Sequence, residues 1–275
     1  MGSGTRIANG WEVAKTSLKV LNAHKELIIF PVLSGISIAL VLGSFFGFIS
    51  GAFGIHELDI DNVSTSIMYM GAFVFYIINY FIVVFFNMAL MHAAKLYFDG
   101  EELSVAKSLQ FSVSRIHYIF SWALFAATVG MTLRILQDNL GWIGKFLVGL
   151  IGIAFSAATF FVIPVLAYEN VGPMEALKRS TNLMKQKWGE GVTANFSIGL
   201  IGFFVILALA ILSMGVSALV NEQAGIIIMV VGVLFIITLG SALHSIIISA
   251  IYNQINGNLD EHLNNQLLDN LFVEK

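Results

Sequence analysis

Hydrophobic positions in this sequence gather into six long runs, separated by shorter stretches in which apolar residues recur at helical spacing. The runs are roughly Leu27–Phe53, Ile67–Ala94, Ile119–Leu136, Ile143–Ala167, Phe196–Val220 and Ala224–Ile251. Each approaches or exceeds the roughly 20 mostly apolar residues that carry a helix across a bilayer. The ten-residue alternation of a membrane barrel is absent. The first run begins too far into the chain, and is too long, for a cleaved signal peptide. The opening Met1-Gly2-Ser3-Gly4-Thr5-Arg6 departs from a myristoylation signal, because Arg6 stands where Ser or Thr is required. The pattern predicts an all-α membrane protein with six transmembrane helices.

The stretches between the runs resemble one another. In the first, Ile7, Trp11, Ala14, Leu18 and Leu21 recur at steps of four and three, which places them on one helical face. In the second, Leu103, Ala106, Leu109, Val113 and Ile116 form the stripe. In the third, Pro173 suits a first helical turn, and Met174, Leu177, Met184 and Trp188 line one side. A serine stands seven residues before a basic residue in each: Ser17 and His24, Ser108 and Arg115, Ser180 and Lys187. Each unit then closes on a tyrosine shortly before a glycine: Tyr97 and Gly100, Tyr168 and Gly172, Tyr252 and Gly257. These matches predict a single membrane domain over 1–275, built as three parallel repeats of an amphipathic helix followed by a hairpin. The repeats cover about 5–98, 99–170 and 171–257. The competing reading is that any hairpin needs an interfacial lead-in, so similar needs give similar sequences. From Asn258 a further amphipathic helix is predicted over 258–275. Asn258 and Glu261 form its capping box, and Leu259, Leu263, Leu267 and Leu271 its stripe.

Composition narrows the function. The chain is 57% hydrophobic and 11% charged, with a net charge of −3 and a mean hydropathy of +0.86. A soluble domain carries about 25% charged residues, so a soluble enzyme is excluded. The slightly acidic balance also argues against nucleic acid as a partner. With no cysteine there is no disulfide, thiolate metal site or Cys nucleophile. Twelve of the 14 basic residues lie in the N-terminal segment, the second-to-third and fourth-to-fifth connections, and the C-terminus. Arg134 and Lys145 lie on the opposite face. This bias places both termini in the cytoplasm, in the inner or cytoplasmic membrane. Trp11, Trp122, Trp142 and Trp188, with Tyr97, Tyr118, Tyr168 and Tyr252, fall near the span ends, as an aromatic belt would.

Candidate chemistry is mild. The spans hold no Asp, Glu, Lys or Arg at mid-membrane depth, which weighs against proton- or sodium-coupled transport. Asn87, Thr159 and His244 are the candidate polar interior or ligand residues, with helix–helix hydrogen bonding as their plainer role. Pro164 interrupts the fourth span near its cytoplasmic end, and acts there as a gating hinge or a structural bend. Gly43, Gly47 and Gly51 form a glycine zipper, suited to close packing on another span or to oligomerisation. The six histidines lack a zinc-ligand spacing, and no phosphate loop or nucleophile elbow is present, so neither a metal nor another cofactor is expected.

Several segments resemble an uncharacterised prokaryotic six-span membrane family, a domain of unknown function. They are Phe85-Phe86-Asn87 with Ala89-Leu90, Trp122-Ala123-Leu124 with Ala126-Ala127-Thr128-Val129-Gly130, and Thr159 through Leu166. The most specific segment starts at Glu169, includes Gly172, Pro173, Glu175, Ala176, Leu177, Lys178, Arg179 and Ser180, and ends in Lys187-Trp188-Gly189-Glu190. Asn170 departs from the small or acidic residue expected at its position. Similar segments occur in membrane domains attached to glycerophosphodiester phosphodiesterases. That likeness implies a shared fold and does not bring the phosphodiesterase activity with it. The expected function is non-enzymatic: membrane organisation, or handling of lipid or another amphipathic molecule. Lipid, a second copy of the chain or another membrane protein is the expected partner. An oligomeric channel or facilitator, and a membrane-embedded enzyme, are the alternatives.

Overall fold

Proline placement explains where the helices start. The chain has three prolines, and each sits in the first turn of a helix, where its missing N–H leaves no intrahelical bond unmade. The computed structural model describes residues 20–53, 65–186 and 188–255. A 3-10 turn at Lys25–Ile28 leads into α1 (Ile29–Phe53), with Pro31 in its first turn. There follow α2 (Thr65–Phe98), α3 (Val105–Ser114), α4 (Ile116–Asn139), α5 (Trp142–Ala158) and α6 (Val162–Tyr168). The series ends with α7 (Pro173–Gln186), α8 (Trp188–Leu219) and α9 (Glu222–Ile255). No strand occurs among the described residues.

Among the described residues six segments are long and apolar enough to span a bilayer: Lys25–Phe45, Tyr69–Phe98, Ile116–Asn139, Trp142–Tyr168, Gly202–Leu219 and Glu222–Asn253. They coincide with the six runs in the sequence, with ends shifted by up to eight residues. The first amphipathic stretch as far as Lys19, Lys187, and the C-terminal helix predicted from Asn258 lie outside the described residues.

The fold divides into two units that interleave along the chain. One comprises 1–31, 90–105 and 185–275, and the other 32–89 and 106–184. In the first, Leu27 and Phe30 are buried, as are most residues of the last turns of α2 and of Ser245–Asn253 in α9. The Ser249 hydroxyl donates to the Met91 carbonyl at 3.3 Å, and the His24 ring meets Tyr97 edge-on at 5.0 Å. Helix α9 packs along α8 through small residues. Gly225 lies where a Cβ would come within 2.7 Å of the Ser213 carbonyl oxygen, and the Ser213 hydroxyl donates to the Gly225 carbonyl at 2.7 Å. Asn221 starts α9 as an N-cap, its side-chain oxygen accepting from the Ala224 N–H at 2.7 Å.

In the second unit, α4 buries Ile119, Trp122, Ala123, Ala126, Ala127 and Met131 and packs along α5. Helices α1 and α2 meet through Phe45, whose ring lies 5.4 Å from that of Phe75 and 3.4 Å from a Cβ built on Gly71. Elsewhere the spans present Leu, Ile, Val and Phe outward, as surfaces facing hydrocarbon must. Trp142 and Trp122 occupy different environments. Trp142 is 81% exposed at the start of α5 and fits a belt position, whereas Trp122 is buried. Trp122 lies nearly two turns into α4, on its small-residue side with Ala123 and Ala126, so it packs inward rather than at the lipid boundary. Tyr252 is likewise buried.

Candidate functional site

The fourth span is broken where Pro164 dictates. A helical proline has no N–H to give the carbonyl four residues earlier, and its ring crowds that carbonyl. For Pro164 that residue is Phe160, and the break falls on Thr159–Phe161, between α5 and α6. Three bonds close the turn: Thr159 N–H to Phe155 O, Phe160 N–H to Ala157 O, and Val162 N–H to Thr159 O, at 3.0–3.3 Å. The Phe161 N–H has lost its helical partner and is buried. It donates instead to the Ser180 hydroxyl oxygen of α7, at 2.9 Å. Ser180 is completely buried. The serine of the repeated serine–basic pair thus completes the backbone of a broken span.

A second short helix makes a related contact. The Ser112 hydroxyl of α3 donates to the Phe85 carbonyl of α2 at 3.0 Å. Ser108, one turn earlier, is also fully buried. Helix α3 therefore has three faces. Ser108 and Ser112 point inward, Lys107, Gln110 and Ser114 form a polar side, and Ala106 and Val113 lie outward. Val113 is 54% exposed, and just beyond α3 Ile116 is 46% exposed. The predicted apolar stripe of this helix is thus largely turned away from the protein. Small residues permit closer backbone approach than leucine or valine, so the serine face wins the contact with α2. Helix α7 follows the same rule in part. Ala176, Ser180, Leu183 and Met184 are buried, while Met174 of the predicted stripe is 54% exposed.

The turn between α6 and α7 ties the two short helices together. Asn170 holds φ at +52°, a left-handed conformation that asparagine tolerates better than most residues. Gly172 precedes α7, its carbonyl accepting the Ala176 N–H at 2.9 Å, and Pro173 opens the helix. The Arg179 Nε lies 3.1 Å from each carboxylate oxygen of Glu169. Arg115, between α3 and α4, donates through Nη1 to the Asn170 side-chain oxygen. Its guanidinium lies 5.6 Å from the Phe111 ring centre and 5.7 Å from that of Tyr118. Phe111 also packs against Tyr168, with ring centres 5.7 Å apart.

Of the residues singled out in the sequence, Pro164, Glu169, Gly172, Pro173, Arg179 and Ser180 therefore belong to one stretch of structure, the break and the turn that follows it. Thr159 closes the end of α5, its hydroxyl donating to the Ser156 carbonyl at 3.0 Å. Asn87 lies half-buried in α2, and His244 half-buried in α9. Trp188 begins α8. A Cβ built at Gly43 or Gly47 would meet nothing within 4 Å. Phe45, which faces α2, points roughly 160–200° away around α1 from both glycines. The surroundings of Gly51 lie outside the described residues. Sequence reasoning passed over Arg115, Asn170 and Ser112 as site residues. Arg115 was visible only as the basic member of a serine–basic pair, and Asn170 only as a departure from an expected residue type.

These features define an all-helical, multi-pass membrane protein. The chain belongs to a family of unknown function, DUF6159, whose profile matches residues 66–260. A comparison with curated proteins finds no match.

Proposed function

We propose that this protein is a non-enzymatic component of the membrane that organises or handles lipid through short helices lying at one bilayer surface. The observation that carries this reading is the three-faced α3. One face is fixed to a span through Ser112, one is polar, and one is apolar and directed outward. A surface helix of this kind lays its apolar side among headgroups and upper acyl chains. The positive-inside bias puts this surface in the cytoplasmic leaflet, with both termini on that side of the inner membrane.

The same reading treats the chain as three repeats. Its support is that Ser108 and Ser180, equivalent in the repeat, are both buried, and that each even-numbered span has a buried stretch ahead of its closing tyrosine. The likeness to membrane domains attached to glycerophosphodiester phosphodiesterases belongs to this proposal as a shared fold, without the activity.

The chain lacks cysteine, so single cysteines can carry spin labels on an otherwise unlabelled background. A label at Val113 is expected to be accessible to oxygen dissolved in lipid, and one at Lys107 to a water-soluble paramagnet. A water-exposed label at Val113 would overturn the reading.

A second reading, an oligomeric channel, gains support from the open surroundings of Gly43 and Gly47. It predicts that Gly43→Leu with Gly47→Leu converts an oligomer into monomers in native mass spectrometry. A monomeric parent protein would end it.

A further inference from the structure

Arg115 is held in place without being neutralised. A guanidinium has only N–H donors, so the Asn170 atom facing it must be the amide oxygen, which is neutral. The guanidinium also lies over the rings of Phe111 and Tyr118. Among the described residues no carboxylate pairs with it: Glu169, next to Asn170 in the chain, pairs with Arg179 instead. The result is a fixed planar cation whose charge has no counter-charge among the described residues.

Its position matters as much as its charge. Arg115 immediately precedes the span Ile116–Asn139, which is the depth of the headgroups. On either side in the chain stand Val113 and Ile116, both outward-facing, and Phe120, 53% exposed, continues that surface one turn into the span. A free phosphate would use only the guanidinium. A phospholipid uses both parts, with its phosphate on the cation and an acyl chain along the apolar surface.

We infer that Arg115, oriented by Asn170 beside the outward-facing Val113, Ile116 and Phe120, forms a binding site for an anionic phospholipid. This deepens the proposed function and rests on its placement of α3 at the bilayer surface.

The test uses native mass spectrometry of the full chain in mild detergent. The chain is titrated separately with phosphatidylglycerol, phosphatidylcholine of the same acyl chains, and inorganic phosphate. The parent protein is expected to prefer phosphatidylglycerol by about tenfold, the scale of one charge-assisted contact. Arg115→Gln removes the cation. Asn170→Asp keeps the shape, suits the left-handed backbone and supplies the missing counter-charge in place. Each is expected to reduce the preference to about twofold or less, with phosphatidylcholine binding unchanged.

Because Asn170→Asp leaves Arg115 and its hydrogen bond intact, it decides the matter even if Arg115→Gln fails to fold. Equal binding of the two lipids by the parent protein, or an unchanged preference in Asn170→Asp, overturns the inference. Displacement of phosphatidylglycerol by millimolar inorganic phosphate overturns the lipid assignment in favour of a soluble anion. A Val113 label found in lipid with no lipid preference removes this site and leaves the proposed function standing. A label found in water removes both.

Discussion

Two short helices in this protein each bring a serine hydroxyl to the backbone of a span, and the two contacts are not equivalent. Helix α3 meets α2 where α2 is continuous, so the Phe85 carbonyl already has its helical partner and Ser112 adds a second donor to it. Helix α7 meets a span broken between α5 and α6, so the Phe161 N–H has no partner except the oxygen of Ser180. In the first case the serine supplements a satisfied group. In the second it satisfies an orphan. The cost of losing a hydrogen bond depends chiefly on what is left behind.

The largest expected effect is therefore that of Ser180→Ala, which strands a buried N–H and should destabilise the protein by about 1–3 kcal/mol. Thermal unfolding in detergent, at matched protein and detergent concentrations, measures it. A loss no greater than that of Ser112→Ala would show that the two contacts are equivalent after all.

Pro164→Ala tests the same distinction from the side of the span. With the proline removed, α5 and α6 can join, and the Phe161 N–H can return to the Ala157 carbonyl. The penalty of Ser180→Ala should then shrink, giving a double-mutant coupling of about 1 kcal/mol. Additive single and double mutants would show that the break does not depend on the proline.

Ser112→Ala comes next, at about 0.6 kcal/mol, the average for interhelical hydrogen bonds in membranes. Because Phe85 keeps its helical bond, helicity by circular dichroism should stay unchanged. Smallest is Arg179→Ala. The Glu169–Arg179 pair is partly exposed, and its loss should cost no more than about 0.5 kcal/mol and diminish further in high salt. A larger loss would mean that the turn, rather than Ser180, anchors α7.

How much of this was legible in the residues varies by element. The spans were, because a long apolar run without a polar partner for its backbone has few alternatives to a helix. The break was legible to within a few residues: Pro164 marks it, and the disruption falls ahead of the proline, around the carbonyl four residues back. The turn at Glu169–Pro173 was visible as a motif, yet nothing in the motif states that Ser180 reaches back 19 residues to Phe161.

The apolar stripe of α3 left open which way it faces. Leu109, Val113 and Ile116 mark an apolar stripe in the sequence, and outside water an apolar face has no obligation to turn inward. Lipid is as apolar as a protein interior, and close packing of small residues decides the contact instead. Trp122 makes the converse point. Its place near a span end suggested the lipid boundary, whereas its neighbours on α4 drew it inward.

The class of the protein, its six spans and the neighbourhood of the break could be read from the residues alone. Those follow from the cost of exposing backbone to hydrocarbon and from the chemistry of one proline ring. The folded arrangement settled which side of each short helix touches the protein. It also decided that Ser180 completes a broken span, and that Arg115 rests on a neutral amide rather than a carboxylate. Such contacts join residues tens of positions apart and turn on a few ångströms of approach, which no local pattern encodes.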